Sequence, residues 1–227
     1  MRPENELNIT PFELYVAKHK QWREYYVLNP LIVKRLMDIV LSFLIILIFS
    51  PFILIAAFLI KYTSYGSILY KQERIGYMGR KFTIYKFRTM IHNAESLIGE
   101  VNHLNESDGP TFKISNDPRI TKIGKFLRKS GLDELPQLIN IIKGEMSLVG
   151  PRPPLYTEVI KYEQWHLKRL SVKPGLTCLW QIQSQRNRIK FDDWMKLDIH
   201  YINNWSLGLD VKILLKTANT VIERSGL

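Results

Sequence analysis

The sequence predicts a mainly helical α+β protein that is attached to a membrane by one apolar helix. Residues 39–60 contain no charged side chain, and a run of this length fits a membrane helix. Residues 67–88 alternate apolar and polar side chains around a glycine-containing turn, which is typical of a β-hairpin. Residues 191–222 repeat apolar side chains at helical spacing, which indicates two amphipathic helices.

Composition and charge restrict the class of protein further. The 227 residues are 46% apolar and 23% charged, which is ordinary for a folded domain and argues against wholesale disorder. A single cysteine excludes an intramolecular disulfide and a cysteine-rich zinc site. The net charge is +11, and residues 61–90 contribute +6 of it, with seven basic side chains and one acidic. The partner of such a segment could be nucleic acid, anionic lipid or a phosphorylated substrate, and charge alone does not choose.

The first predicted element is an N-terminal tail, residues 1–30, that ends in an interfacial helix. Its aromatic side chains Trp22, Tyr25 and Tyr26 suit the level of the lipid headgroups. We expect Asn29-Pro30 to separate this tail from the membrane helix.

The membrane helix has two complicating features. A helix over its 22 uncharged residues would cover about 33 Å, one hydrocarbon thickness, but Ser50-Pro51 lies at its centre and predicts a bend. Both flanks are basic, with Lys34 and Arg35 before the run and Lys61 after it, so the positive-inside rule gives no orientation. A kinked span and a re-entrant helix remain open, and the residues alone favour the span because spans are commoner.

Asp38 stands at the mouth of the apolar run. An ionised carboxylate at that depth is costly unless it is paired. We expect a local ion pair with Lys34 or Arg35, which lie four and three positions earlier.

The predicted hairpin pairs residues 67–74 with residues 81–88 through a turn at 76–79. Lys81, Lys86 and Arg88 flank it. They could form a solvated basic edge that discourages further strand pairing, or a cationic binding surface.

Helical patterns follow the hairpin at residues 92–109, 119–130 and 130–144. In the last of these, Pro136 fits the first turn and Gly144 fits the end of the helix, which places Asp133 and Glu134 at the helix N-terminus. Two adjacent carboxylates there could simply complement the helix dipole, which the residues alone favour. They could instead supply a nucleophile, a general base or a Mg²⁺ ligand.

Arg152 lies between prolines in the segment 149–154. A rigid backbone suits an arginine that forks onto phosphate, and an exposed arginine in a proline-rich turn is the alternative. The sequence contains no glycine-rich phosphate loop and no dinucleotide-binding fingerprint. Its five histidines are scattered, so zinc chemistry is not indicated.

Taken together, the motifs resemble those of the bacterial sugar transferase family, the monotopic phosphoglycosyl transferases. The resemblance runs from Lys34 to the C-terminus, and eight motifs in order make it specific. These are Lys34-Arg35-x-x-Asp38, Ser50-Pro51, Lys86-Phe87-Arg88-Thr89-Met90, Asp117-Pro118-Arg119, Leu127-Arg128, Leu132-Asp133-Glu134-Leu135-Pro136-Gln137, Met146 to Pro153, and Lys173-Pro174-Gly175.

The resemblance implies transfer of a hexose-1-phosphate from a UDP-sugar to undecaprenyl phosphate, with release of UMP. It implies that Asp133 attacks the β-phosphate and holds a covalent phosphosugar, and that Glu134 assists. Mg²⁺ is the implied cofactor, held by Asp133 and Glu134. The implied phosphate-binding cations are Lys86, Arg88, Arg128, Arg152 and Arg186.

It also implies a re-entrant helix over residues 31–61, broken at Ser50-Pro51, and a catalytic domain over residues 62–227 on the cytoplasmic face of the bacterial inner membrane. The bilayer then replaces nucleic acid as the expected macromolecular partner, and a homodimer is left open. Residues 193–210 resemble the branch that uses UDP-glucose or UDP-galactose and begins exopolysaccharide or O-antigen synthesis. Alternatives are a UDP-N-acetylamino sugar and a non-enzymatic membrane adaptor that binds anionic lipid.

Two positions depart from the family pattern. Cys178 and Gln185 stand where the family commonly has glycine. The second departure weakens the assignment of the neighbouring Arg186 to the nucleotide.

Overall fold

The computed structural model describes residues 28–184 and 188–222. The interfacial helix expected in the N-terminal tail and the candidate Arg186 therefore lie outside the described residues. Helix α1, Leu28–Thr63, is 36 residues long and is long and apolar enough to cross a membrane.

Helix α1 keeps helical conformation through Ser50 and Pro51, so the bend expected there does not divide it into two separate helices and stays a prediction. Proline has no N–H group to donate to the carbonyl of Leu47, four residues earlier. The hydroxyl of Ser50 donates to that carbonyl at 2.8 Å instead. The hydrogen bond that Pro51 removes is thus replaced locally, and the helix is not interrupted.

The predicted hairpin is confirmed. Strand β1, Leu69–Ile75, pairs with the antiparallel strand β2, Lys81–Phe87, in a register that places Leu69 opposite Phe87. A 3-10 turn at Tyr77–Gly79 joins them, and within it Met78 has a φ of 52°.

The helix expected over residues 92–109 is largely absent. Its described helical parts are α2, Ile98–Val101, and a 3-10 turn at Asn102–Leu104. Asn93 has a left-handed φ of 61°, and the amides of Ala94, Ser96 and Ile98 each bond to the carbonyl three residues earlier. These tight turns take up the backbone groups that an α-helix would have used.

The segment that follows is also less regular than predicted. Helix α3, Lys122–Ser130, ends at Gly131, whose φ is 72°. The chain then forms a 3-10 helix, Leu132–Gln137, before helix α4, Leu138–Lys143, which Gly144 terminates as expected. Because Pro136 has no N–H group, an α-helical bond to Leu132 cannot form. Asp133 and Glu134 therefore lie in a short 3-10 helix and not at the start of a long α-helix.

A second, two-stranded sheet was not predicted. Strand β3, Ser147–Val149, lies parallel to strand β4, Gly175–Thr177. The backbones touch just beyond β3, because a Cβ atom on Gly175 would lie 2.1 Å from the amide nitrogen of Gly150. Two motifs distant in sequence, around Gly150 and around Gly175, are thereby brought into contact.

Helical elements complete the fold. Helix α5, Tyr156–Val159, and a 3-10 helix, His166–Ser171, precede the two predicted amphipathic helices, which are confirmed as α6, Phe191–Asn203, and α7, Leu207–Ile222. One buried cluster joins β3, α4 and α7 to Leu41, Ile45 and Ile46 of α1. Another joins Ala56 and Ile60 of α1 to Phe87 and Leu127.

Candidate active site at the membrane helix

The N-terminal part of α1 is bound to the folded domain through the Lys34-Arg35-x-x-Asp38 motif. Lys34 Nζ lies 2.6 Å from the fully buried carboxylate of Asp210. Arg35 donates to the last carbonyls of α4, those of Ile141 and Ile142, at 2.6 and 2.7 Å. These contacts fix the start of α1 against the C-terminal end of α4 and against α7.

Asp38 does not hydrogen-bond to Lys34 or Arg35 as expected. Its Oδ1 accepts from the hydroxyl of Ser147 at 3.0 Å and from the amide of Leu148 at 2.9 Å. The carboxylate is 2% exposed, and donors from β3 stabilise its charge. The local spacing that suggested an ion pair was therefore overridden by a tertiary contact 110 residues away.

Arg88 holds the other end of α1. Its Nη2 donates to the carbonyl and hydroxyl of Ser64 at 2.8 Å each and to the carbonyl of Ile60 at 3.3 Å, and its Nη1 donates to the carbonyl of Ser67. The last carbonyls of a helix have no intrahelical donor, so Arg88 caps α1. Its two Nη groups are occupied by backbone carbonyls and the Ser64 hydroxyl, and its predicted role as a phosphate-binding cation stays a prediction.

The carboxylate pair itself lies against strand β2. Asp133 is 8% exposed, and Glu134 Oε1 lies 2.6 Å from Lys86 Nζ. Asn140 fixes this arrangement, because its amide donates to the carbonyl of Thr83 at 2.7 Å while its Oδ1 accepts from the amide of Tyr85 at 3.2 Å. The register of β2 against the 3-10 helix therefore places Lys86 beside Glu134.

The two carboxyls have different acidities. Burial, and then the neighbouring charge of Glu134, raises the pKa of Asp133 to about 6. Burial also opposes ionisation of Glu134, but the charge and hydrogen bond of Lys86 and the charge of Arg152 outweigh it, so the pKa of Glu134 is below its ordinary value. At neutral pH the pair thus contains one firmly ionised carboxylate and one whose ionisation is sensitive to its surroundings.

Arg128 approaches the pair from α3. Burial lowers the pKa of its guanidinium, and the charges of Asp133 and Asp117 act in the opposite sense. Asp117 is itself bound by Arg119 through two contacts at 2.9 and 2.7 Å. The predicted cation Arg128 is therefore near enough for its charge to favour ionisation of Asp133, although no ion pair within 4 Å joins the two in the described residues.

Arg152 approaches from the segment after β3. Its Nη1 lies 3.7 Å from the buried carboxylate of Glu158, its guanidinium lies 5.6 Å from the ring centre of Trp194, and its carbonyl accepts from Arg169 at 2.9 Å. The close backbone contact between Gly150 and Gly175 packs against the same segment. Lys86, Arg128 and Arg152 thus all act on the carboxylate pair.

Sequence reasoning missed a buried polar cluster behind Arg152. Arg169 pairs with Asp198 at 2.8 Å and donates to Tyr162 at 2.6 Å, and Arg74 donates to the carbonyl of Pro153 at 3.0 Å. All four side chains are at most 8% exposed. Asp198 is 29 positions from Arg169 and Pro153 is 79 positions from Arg74, so local patterns could not have revealed these two contacts.

The chemistry of the donor set is compatible with Mg²⁺. Within residues 28–184 and 188–222, no three or more histidine, cysteine or acidic side chains come together as a metal cage. The pair Asp133 and Glu134 offers two carboxylates, and Mg²⁺ in proteins is commonly held by one or two carboxylates together with substrate phosphates.

Comparison with known proteins adds a relationship to this geometry. Residues 29–224 match the family described as bacterial sugar transferase. The chain is 44% identical over 205 residues to the galactosyl transferase CpsE of Streptococcus agalactiae, covering 89% of this chain and 45% of that protein. It is 42% identical over 192 residues to the exopolysaccharide production protein ExoY of Rhizobium meliloti, covering 83% and 84%.

A third relative is the undecaprenyl-phosphate galactose phosphotransferase of Salmonella typhimurium, 42% identical over 200 residues, covering 85% of this chain and 41% of that protein. The chain therefore spans less than half the length of two of these relatives and most of the length of the third.

Proposed function

The chain belongs to the bacterial sugar transferase family, and from that premise we propose that it transfers a sugar phosphate from a UDP-sugar to undecaprenyl phosphate. The observation that carries the proposal is the adjacent pair Asp133 and Glu134, on which Lys86, Arg128 and Arg152 converge. Such an arrangement suits phosphoryl transfer, in which fixed cations stabilise charge on phosphate oxygens.

The reaction proceeds in two displacements. A carboxylate oxygen of Asp133 attacks the β-phosphorus of the UDP-sugar, and the bond from that phosphorus to the bridging oxygen breaks, so UMP leaves with the electron pair. An oxygen of undecaprenyl phosphate then attacks the same phosphorus and displaces Asp133. The product is undecaprenyl diphosphate-sugar, and covalent catalysis has divided one difficult step into two.

The local electrostatics support the roles of the two carboxyls. A nucleophile with a pKa of about 6 is mostly ionised at neutral pH yet is not deactivated by tight ion pairing. Glu134, held ionised by Lys86, can accept a proton that the lipid phosphate carries. Arg128 and Arg152 bind phosphate oxygens.

Asp133 and Glu134 would also hold Mg²⁺ together with the substrate phosphates. When bound, the metal ion supplies positive charge that stabilises the transferring phosphoryl group and the departing UMP.

We place the site at the cytoplasmic face of the membrane, with α1 entering and leaving the bilayer on the same side. Both ends of α1 are bound by one folded domain: Lys34 and Asp38 contact α7 and β3, and Arg88 caps the end near Ser64. A straight helix over the roughly 30 residues between these ends would separate them by about 45 Å, on opposite faces of the membrane. The contacts therefore support re-entry with a bend in α1 at Ser50-Pro51, where proline weakens the helix.

Tags at the two ends of this chain test the topology. Equal protection of both tags in intact cells is expected, and exposure of the N-terminal tag alone would refute re-entry.

For the donor we propose UDP-galactose or UDP-glucose. The names of two relatives specify galactose or galactosyl transfer, and residues 193–210 resemble the branch that uses UDP-hexoses. The product is the first lipid-linked sugar of a polysaccharide. A UDP-N-acetylamino sugar is the alternative donor.

A panel of UDP-sugars tests the function. Membranes containing the protein are incubated with Mg²⁺, undecaprenyl phosphate and each UDP-sugar, and released UMP is measured. We expect turnover with a hexose donor, none in Asp133→Asn, and unchanged turnover in Glu100→Gln, which removes an exposed carboxylate of α2. Wild-type turnover by Asp133→Asn would refute Asp133 as the nucleophile. No UMP release with any donor would refute the proposed activity.

A further inference from the structure

Arg128 is held by one edge of its guanidinium. Its Nε donates to the hydroxyl of Thr89 at 2.9 Å. Within the described part of the chain, neither of its two Nη groups has a hydrogen-bond partner. The guanidinium of Arg128 is therefore fixed at Nε, and its two Nη groups are left to donate. Such a guanidinium can bind two phosphate oxygens at once.

Thr89 is itself immobilised. Its side chain is buried, the residue being 6% exposed. Its carbonyl accepts from the amide of Thr121 at 3.0 Å and from the hydroxyl of Thr121 at 3.3 Å. The next residue, Met90, forms a β-bridge with Ile120. The hydroxyl that receives Arg128 thus stands on backbone tied to the start of α3, the same helix that carries Arg128.

Gly124 allows helix α3 to approach the backbone of Thr89 closely. A Cβ atom at this position would lie 1.9 Å from the carbonyl oxygen of Thr89, so only glycine permits the contact. Gly124 and Arg128 are four residues apart and share a helix face. Helical side chains lean toward the N-terminus, which carries the Arg128 side chain back over Gly124 to Thr89.

We propose that Thr89 is a positioning residue that aims the Arg128 fork at the phosphate of the sugar donor. The hydroxyl accepts from Nε and so leaves both Nη groups for phosphate oxygens. Without it, the guanidinium would lose the contact that fixes its orientation, and the part-buried Nε–H would lose its acceptor. This inference rests on the proposed function for the identity of the ligand, and on geometry alone for the link between Thr89 and Arg128.

Three variants test the kinetic consequence. Thr89→Val keeps the side-chain shape and removes the acceptor, and Thr89→Ser keeps the acceptor. We expect Thr89→Val to lower kcat/KM about ten- to hundred-fold, the loss typical of one hydrogen bond to a charged group, and Thr89→Ser to retain most activity. In an Arg128→Lys background, which has no Nε donor, Thr89→Val should cause no further loss. An equal loss in both backgrounds would show that Thr89 acts independently of Arg128 and would overturn the proposal.

A measurement without turnover separates this inference from the proposed function. In ¹⁵N-arginine-labelled protein in micelles, the Arg128 Nε–H resonance is assigned by its absence in Arg128→Lys. We expect slow exchange of this proton with water in the wild type and in Thr89→Ser, and at least ten-fold faster exchange in Thr89→Val. Unchanged exchange in Thr89→Val would refute the link even if the enzyme turns over, and the expected change would support it even if no UDP-sugar is a substrate.

Discussion

Replacing Lys86 by methionine removes the ammonium group that lies 2.6 Å from Glu134 and also lowers the pKa of Asp133. Both side chains of this ion pair are partly shielded, with exposed fractions of 27% and 32%. An opposite charge at this range typically lowers a carboxyl pKa by about 1–3 units. We therefore expect the pKa values of both carboxyls to rise by about one unit or more in Lys86→Met.

The sign of the effect on activity follows from the role of Asp133. The nucleophile must be ionised, and a carboxyl with a pKa of about 6 is about 90% ionised at pH 7, whereas a pKa of about 7 leaves about half ionised. The pH at which activity rises should therefore be about one unit higher in Lys86→Met than in the wild type. Because the two carboxyls interact, this rising part (the acidic limb) of the pH–activity profile reports the titration of the pair and not of one residue.

The assay is UMP release between pH 5 and 9 at saturating donor, with Lys86→Arg as the control that keeps the charge. Lys86→Met should also lower the maximal rate, because Lys86 is one of the cations proposed to bind the substrate phosphates. The test is therefore the pH at which activity rises and not the maximal rate. A limb that stays at the wild-type pH in Lys86→Met, or moves to lower pH, would refute the electrostatic account of the pair. Lys86→Arg should leave the limb within a few tenths of a pH unit.

Three further substitutions test the framework that holds the site. Asp210→Asn should destabilise the protein by about 1.5–3 kcal/mol, the range for hydrogen bonds to charged groups, because it removes the carboxylate that pairs with the partly buried Lys34. Thermal unfolding in detergent measures this, and a loss below about 1 kcal/mol would contradict it. Gly175→Ala should prevent or severely weaken folding, because its Cβ would lie 2.1 Å from Gly150, whereas Gly99→Ala, with open space around it, should be tolerated. Ser50→Ala should lower the unfolding temperature by leaving the Leu47 carbonyl without a donor. Adding Pro51→Ala should restore the unfolding temperature by returning the backbone N–H. Equal stability of Ser50→Ala and the wild type would refute this role of Ser50.

The elements that depend on local periodicity were predictable. The hairpin and the helices α6 and α7 follow from alternation and from 3.6-residue spacing, and each was found near its expected place. The prediction of a helix over residues 92–109 was largely wrong, because Asn93 and its neighbours form turns that hydrophobic spacing does not detect. The parallel pairing of β3 and β4 was not predicted, because it joins segments almost thirty residues apart that meet at two glycines.

The candidate site was predictable in its residue types more than in its partners. Asp133, Lys86, Arg128 and Arg152 converge as the motifs implied. Arg88 was predicted with them as a phosphate-binding cation, and its contacts in the structure are with the end of α1. An arginine that caps a helix and one that binds phosphate look alike in sequence. Asp38 was likewise given a local partner, although its donors lie on β3. Charge and spacing identify candidates, and the fold decides which groups each one faces.

The covalent intermediate is the most direct test of the account. The protein is mixed with a UDP-hexose and Mg²⁺ in the absence of undecaprenyl phosphate, quenched, and digested for mass spectrometry. We expect one hexose phosphate attached to Asp133, absent in Asp133→Asn and lost when undecaprenyl phosphate is added before the quench. UMP release with no adduct, or an adduct on another residue that forms equally well in Asp133→Asn, would contradict it.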